Sequence, residues 1–195
     1  MPFSIQLVGM IVIVAASMLP FVVPNWRILI TTLAAIYLIQ FIYIFYLSTP
    51  LLAAINLIIG WMACAVIGIS SIRLRLTENI EPFQKGIAFR LISEFFFILT
   101  AFAISINANS WLPKIPYIVF SAGLTLLFTG LLQLNYYPQT LRIVIGLLVL
   151  LSGFELIYYS IEYSLLVIIL IGIVKLGLAF MGTFLISLQN LEEAK

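Results

Sequence analysis

Glu155 and Lys175 are ionisable side chains set inside long apolar runs, Glu155 within 141–161 and Lys175 within 165–188. A charge at bilayer depth costs at least about 2.5–3.5 kcal/mol on insertion scales, so such groups face protein or water and often mark an ion path. A carboxyl and an amine placed there can carry a proton relay. Burial disfavours the charged form of each group and a mutual ion pair favours both, so a small rearrangement can move a proton. The same two residues also fit a buried ion pair, to each other or to a partner subunit, that fixes helix packing without transport. At the level of sequence both readings stand.

The neighbours of each charge follow helical spacing. Ser152, Glu155, Tyr159 and Glu162 recur at intervals of three, four and three, which puts them on one helix face as a polar strip running to the membrane surface. Gly172, Lys175, Ala179 and Gly182 share a face of the following segment, and small residues there let another backbone approach closely. Counting about 1.5 Å of rise per residue, Glu155 lies about 10 Å and Lys175 about 18 Å below the connection between the two segments. The gap of about 8 Å is one that long side chains or a single water would bridge. Glu162, next to that connection, also reads simply as an exposed hairpin residue.

Weaker candidates lie elsewhere. Glu94 follows Arg90 by four residues, one turn from a segment end, where the two read as a snorkelling pair at the interface and, less directly, as part of a relay. Asn56 extends the small-residue face Gly60, Cys64 and Gly68, from which it can hydrogen-bond another helix. The lone cysteine, Cys64, reads as a packing residue.

The elements that must position these groups follow from composition. Of 195 residues, 64% are hydrophobic and only 8% charged, too few charges to cover a soluble domain. A spanning helix takes about 20 apolar residues, which leaves room for a single all-α, polytopic membrane domain over 1–195 and no attached enzyme. Seven segments can be cut, at 4–23, 26–47, 51–72, 87–107, 114–133, 140–161 and 164–188, with Pro24, Pro50, Pro82, Pro113 and Pro138 at the cuts. The stretch before the first segment has no basic side chain, so that segment is expected to remain as a helix.

With no histidine and one cysteine, imidazole ligation of haem, copper or zinc and an iron–sulfur cluster held by this chain are excluded. No aspartate, Ser–His pair or metal-ligand set suggests catalysis. The expectation is therefore a protein that is not itself an enzyme and holds no cofactor, with no role for nucleic acid.

Seven spans place Arg27, Arg73, Arg75, Lys85, Arg90, Arg142 and Lys195 on one side and only Lys114 on the other. By the positive-inside rule the N-terminus is expected outside and the C-terminus in the cytoplasm, in the cell membrane. Trp26, Trp111, Tyr136 and Tyr137 fall at span ends as interfacial aromatics; Trp61 does not and reads as core or lipid contact. Residues 73–90 mix four basic side chains with Glu78 and Glu81, a cytoplasmic loop suited either to a soluble partner or to solvent alone.

A shift of 115 positions lays Arg27, Ile28, Ile30, Leu33, Ile42 and Tyr43 on Arg142, Ile143, Ile145, Leu148, Ile157 and Tyr158. This predicts a parallel repeat of three-helix units, 1–74 on 112–188, with Gln40 in the place of Glu155.

Residues 137–155, YPQTLRIVIGLLVLLSGFE, followed by a hairpin and another apolar helix, resemble small membrane subunits of the complex I and Mrp antiporter superfamily: the K subunit of respiratory complex I, the C subunit of Mrp antiporters and component E of membrane-bound hydrogenases. The shared pattern is an arginine near the helix start and a Gly/Leu-rich helix reaching a small–apolar–Glu step. It covers about residues 137–188 and, through the repeat, 24–72. The interval from Arg142 to Glu155 is longer here, and Lys175 lies in the helix where the K subunit has a second glutamate. The resemblance implies a small subunit in a hetero-oligomeric complex with other integral membrane subunits, ion-translocating or redox-driven. A self-contained small transporter and a scaffold or assembly subunit without transport are the alternatives.

Overall fold

The computed structural model describes residues 3–23, 25–73, 86–108, 115–137, 139–162 and 164–193. They form seven helices: α1 (Phe3–Val22), α2 (Trp26–Leu47), α3 (Pro50–Arg73), α4 (Ile87–Ala108), α5 (Tyr117–Tyr136), α6 (Thr140–Ile161) and α7 (Leu165–Glu193). The all-α, multi-pass architecture expected from the sequence is what the chain adopts. Helices are the open-chain solution in lipid, where every backbone N–H and C=O must find a partner within the segment. Six of them, α2 to α7, are long and apolar enough to cross a membrane; the apolar stretch described for α1, Gln6–Val22, is shorter.

Boundaries follow local chemistry. Asn25 caps α2, its side-chain oxygen accepting from the Arg27 amide at 2.9 Å. Pro50 opens α3, where its missing N–H is one of the orphan donors in any case. Pro24, Pro82, Pro113 and Pro138 lie outside the described residues, as do Trp111 and Lys114. The fifth segment, expected at 114–133, runs three residues later, from Tyr117 to Tyr136. Pro116 occupies the N-cap and pushes Ile115 away from helical backbone, so the helix cannot begin earlier. Helix α7 continues to Glu193, beyond the apolar run that was expected to end at 188.

The four helices α2, α3, α6 and α7 pack as one group: α2 against α3 and α6, and α7 against α3 and α6. Helix α5 lies on the other side of α6 and contacts α1 and α4. Within the apolar stretches 61% of α5 and α6 is buried, against 22% of α4 and 33% of α7, so α5 and α6 are central and α4 and α7 peripheral.

The α5–α6 seam is built on glycines that the sequence reading passed over. A Cβ on Gly153 would stand 2.5 Å from the Leu127 amide nitrogen and 2.6 Å from the Gly123 carbonyl, and one on Gly130 would stand 2.7 Å from the Gly146 carbonyl. Backbone meets backbone at two levels seven residues apart, which only the absence of side chains permits. The small face of α7 admits side chains rather than the close backbone approach expected of it: Gly172 receives Ile59 of α3 and Gly182 receives Val144 of α6.

The aromatics at the helix ends depart from the interfacial role. Trp26, Tyr136 and Tyr137 are buried, because they pack on other helices rather than on headgroups. Trp61 is 47% exposed, in line with lipid contact.

Candidate functional site

Helix α6 carries Glu155 on the side facing α2 and α7. Helix α7 carries Lys175 on its small-residue face, where Gly172, Ala179 and Gly182 are also buried. The two side chains form a direct ion pair between Lys175 Nζ and Glu155 Oε2, with 0% and 2% of the side chains exposed. The expected difference in depth is closed without a water, because the four-carbon stem of lysine extends along the helix.

Two further helices complete the cluster. Gln40 of α2 donates through Nε2 to Glu155 Oε2 at 2.8 Å and to the Ser152 carbonyl at 3.2 Å. Lys175 Nζ donates to Asn56 Oδ1 of α3 at 2.8 Å. A carboxylate, an ammonium and two amides from α6, α7, α2 and α3 thus meet at one buried point. Each charged group gains an amide partner beside its opposite charge where no solvent reaches, which offsets part of the cost of burying the pair. Gln40 Oε1, Asn56 Nδ2 and Tyr159 Oη remain without a hydrogen-bond partner.

Tyr37 is the member that the sequence reading missed. Lys175 Nζ lies 4.9 Å from the centroid of its ring, over the face, where the aromatic quadrupole favours a cation. The ring rests on Gly60 of α3, where a Cβ would come within 2.5 Å of Tyr37 Cγ. Gly60 therefore makes the space in which Tyr37 covers the lysine. The available signal was spacing: Tyr37 precedes Gln40 by three residues on one face of α2.

The polar strip of α6 is a buried face over Ser152, Glu155 and Tyr159, and Glu162 is exposed at the C-cap. Its hydrogen bonds do not run along the strip. Ser152 Oγ turns back to the Leu148 carbonyl of its own helix at 2.9 Å, and Glu155 is bound across the helix interface. Glu155 thus finds its partners on facing helices, whereas Ser152 finds its own one turn back.

Glu94 differs from its expected role as a snorkelling partner of Arg90. It is buried, 1% exposed, and its Oε1 accepts from Thr129 Oγ1 of α5 at 2.6 Å. Arg90 instead donates through Nη1 to the Tyr137 hydroxyl. The spacing of four residues aligns Arg90 and Glu94, but both point inward at α5, whose hydroxyls and ring end offer partners without exposing either group. Glu94 Oε2 has none. Of the 73–90 loop, residues 74–85 lie outside the described residues; Arg73 and Gly86 at its ends are exposed. Among the described residues no group of three or more His, Cys, Asp or Glu could hold a metal ion.

No family model, curated protein or solved structure matches the chain.

Proposed function

We propose that this protein is a small integral membrane subunit of a multi-subunit ion-translocating or redox-driven complex, with Glu155 and Lys175 as a proton relay. The observation that carries the reading is the junction of Glu155, Lys175, Gln40 and Asn56 from four helices, buried within the apolar part of the bundle. Maintaining ionisable groups there is costly, so a group retained at that depth by two amide partners is poised for charge movement. Transfer of the proton from Lys175 to Glu155 would convert the ion pair to a neutral pair without moving a heavy atom far. Gln40 and Asn56 hydrogen-bond the carboxyl and the amine and hold both in register. The exposed apolar faces of α4 and α7, with Phe95, Phe96 and Phe102 on one and Phe180, Met181 and Phe184 on the other, support a place among lipids and neighbouring membrane subunits. The N-terminus lies outside and the C-terminus in the cytoplasm on this reading, and residues 73–90 offer a face to a soluble partner.

Purification from the native membrane tests the subunit reading: antiporter-like or redox subunits are expected at fixed stoichiometry, and a protein recovered alone that moves ions in proteoliposomes would reject it. Glu155→Gln then tests the relay. Loss of proton movement in an assembled complex is the expected result; unchanged movement with intact assembly rejects the relay.

A further inference from the structure

A second pair of buried charges lies at the end of the bundle where α4 and α6 begin. Arg90, the fourth residue of α4, and Arg142, the third of α6, are 5% and 3% exposed. They flank one aromatic ring: the guanidinium carbons stand 5.5 Å and 3.9 Å from the centroid of Tyr137. Arg142 donates to the carbonyls of Pro20 at 2.8 Å and Val23 at 3.4 Å, at the end of α1, and Arg90 to the Tyr137 hydroxyl. All these partners are neutral. No carboxylate among the described residues pairs with either arginine; Glu94, one turn on from Arg90, bonds Thr129 through Oε1. The Nε–H of each guanidinium is buried with no partner.

Two like charges held in one buried place with no counter-charge among the described residues repel and are poorly solvated. Between them is a cavity of about 70 Å³, bordered by Arg90, Tyr137, Arg142, Phe21, Val23 and Ile87. At about 10–15 Å³ per water-sized occupant it has room for about five to seven heavy atoms, enough for a phosphate group. The rim is open, Val22 being 44% and Ile87 49% exposed, while the floor is closed. Both arginines sit in the first turn of their helices, where unpaired backbone N–H groups and the helix dipole add positive potential. They also sit at the ends of apolar spans, the level at which headgroup phosphates lie.

The geometry points to a binding site for an anionic phosphate group between Arg90 and Arg142, with the guanidiniums as bidentate donors and the apolar rim beside the chain of a lipid. This site is separate from the Glu155–Lys175 junction and does not depend on the function proposed for it. A phospholipid headgroup and a soluble phosphoester present the same group, and the experiment separates them. Delipidated protein in detergent is titrated with phosphatidylglycerol, with phosphatidylcholine and with inorganic phosphate, reading bound lipid by native mass spectrometry and the thermal midpoint in parallel. Phosphatidylglycerol is expected to bind about tenfold or more tighter than phosphatidylcholine, and Arg90→Gln and Arg142→Gln are each expected to lose about tenfold of that affinity. Arg90→Lys, which keeps the charge but not the fork, falls between and covers the case in which a glutamine variant does not fold. A rise in midpoint with inorganic phosphate alone assigns a soluble ligand; a response confined to phosphatidylglycerol assigns a lipid. Equal retention of both lipids by the wild-type protein with no phosphate effect overturns the proposal. Undiminished binding by the arginine variants overturns it as well.

Discussion

Gln40 on α2 donates to Glu155 on α6 at 2.8 Å, and the two are 115 positions apart in the chain, the interval that the internal alignment of the sequence picks out. One amide oriented by the Ser152 carbonyl holds the carboxylate that Lys175 pairs with, and Asn56 holds the lysine from the other side. The junction ties together four helices that have little else polar between them.

The ion pair makes single substitutions costly and a double one cheap. Glu155→Leu or Lys175→Met alone leaves a buried charge unpaired and is expected to destabilise by about 3–5 kcal/mol, whereas the double variant is neutral or up to about 4 kcal/mol more stable. Chemical denaturation in a fixed detergent reads the cycle. Two single variants each within 0.5 kcal/mol of wild type, on a scale where coupled residues differ by about 0.5–3 kcal/mol, would show that the pair does not exist.

Gln40→Leu and Asn56→Leu each remove a hydrogen bond to a charged group and should cost about 1.5–3 kcal/mol. In the Glu155→Leu/Lys175→Met background the same changes should cost far less, because the charges they served are gone. Additive losses would mean that the amides act through packing.

The glycine seam predicts a sharp contrast among alanine substitutions. At Gly153 or Gly130 the added methyl meets backbone of α5 or α6 at 2.5–2.7 Å, which neither helix can yield without separating. A loss of at least about 1–3 kcal/mol is expected. Gly177→Ala has nothing within 4 Å and should be neutral or gain up to about 1 kcal/mol from helix propensity. Equal melting of Gly153→Ala and Gly177→Ala would contradict the seam.

Sidedness can be read with thiols, since the native Cys64 is 6% exposed and should stay silent to a membrane-impermeant reagent. Glu162→Cys and Ser4→Cys are expected to react on intact cells, and Gly86→Cys only after permeabilisation. Labelling of Ser4→Cys and Glu162→Cys from opposite sides would show that α1 does not cross.

How much was legible in the sequence varies by residue. The helices at 26–47 and 140–161 match their expected limits, because apolar length, prolines and caps act within a few residues of where they are read. Lys175 among small residues on one face, and Glu155 with Tyr159 on another, were likewise set by helical period. Partner choice was not. Arg90 and Glu94 have the spacing of an ion pair, yet Tyr137 and Thr129 took them, and nothing in the sequence names Glu155 as the partner of Gln40, which the repeat puts only in the equivalent place of its own unit.

Chain-local rules determined the described helices and the faces that Glu155 and Lys175 occupy. Which faces meet, and so that a carboxylate, an ammonium, two amides and the Tyr37 ring share one buried point, was decided only by tertiary packing. In a bilayer the outside of a helix is as apolar as its inside, so hydrophobic pattern cannot select the interface; close backbone approach at glycines and the mutual satisfaction of polar groups do.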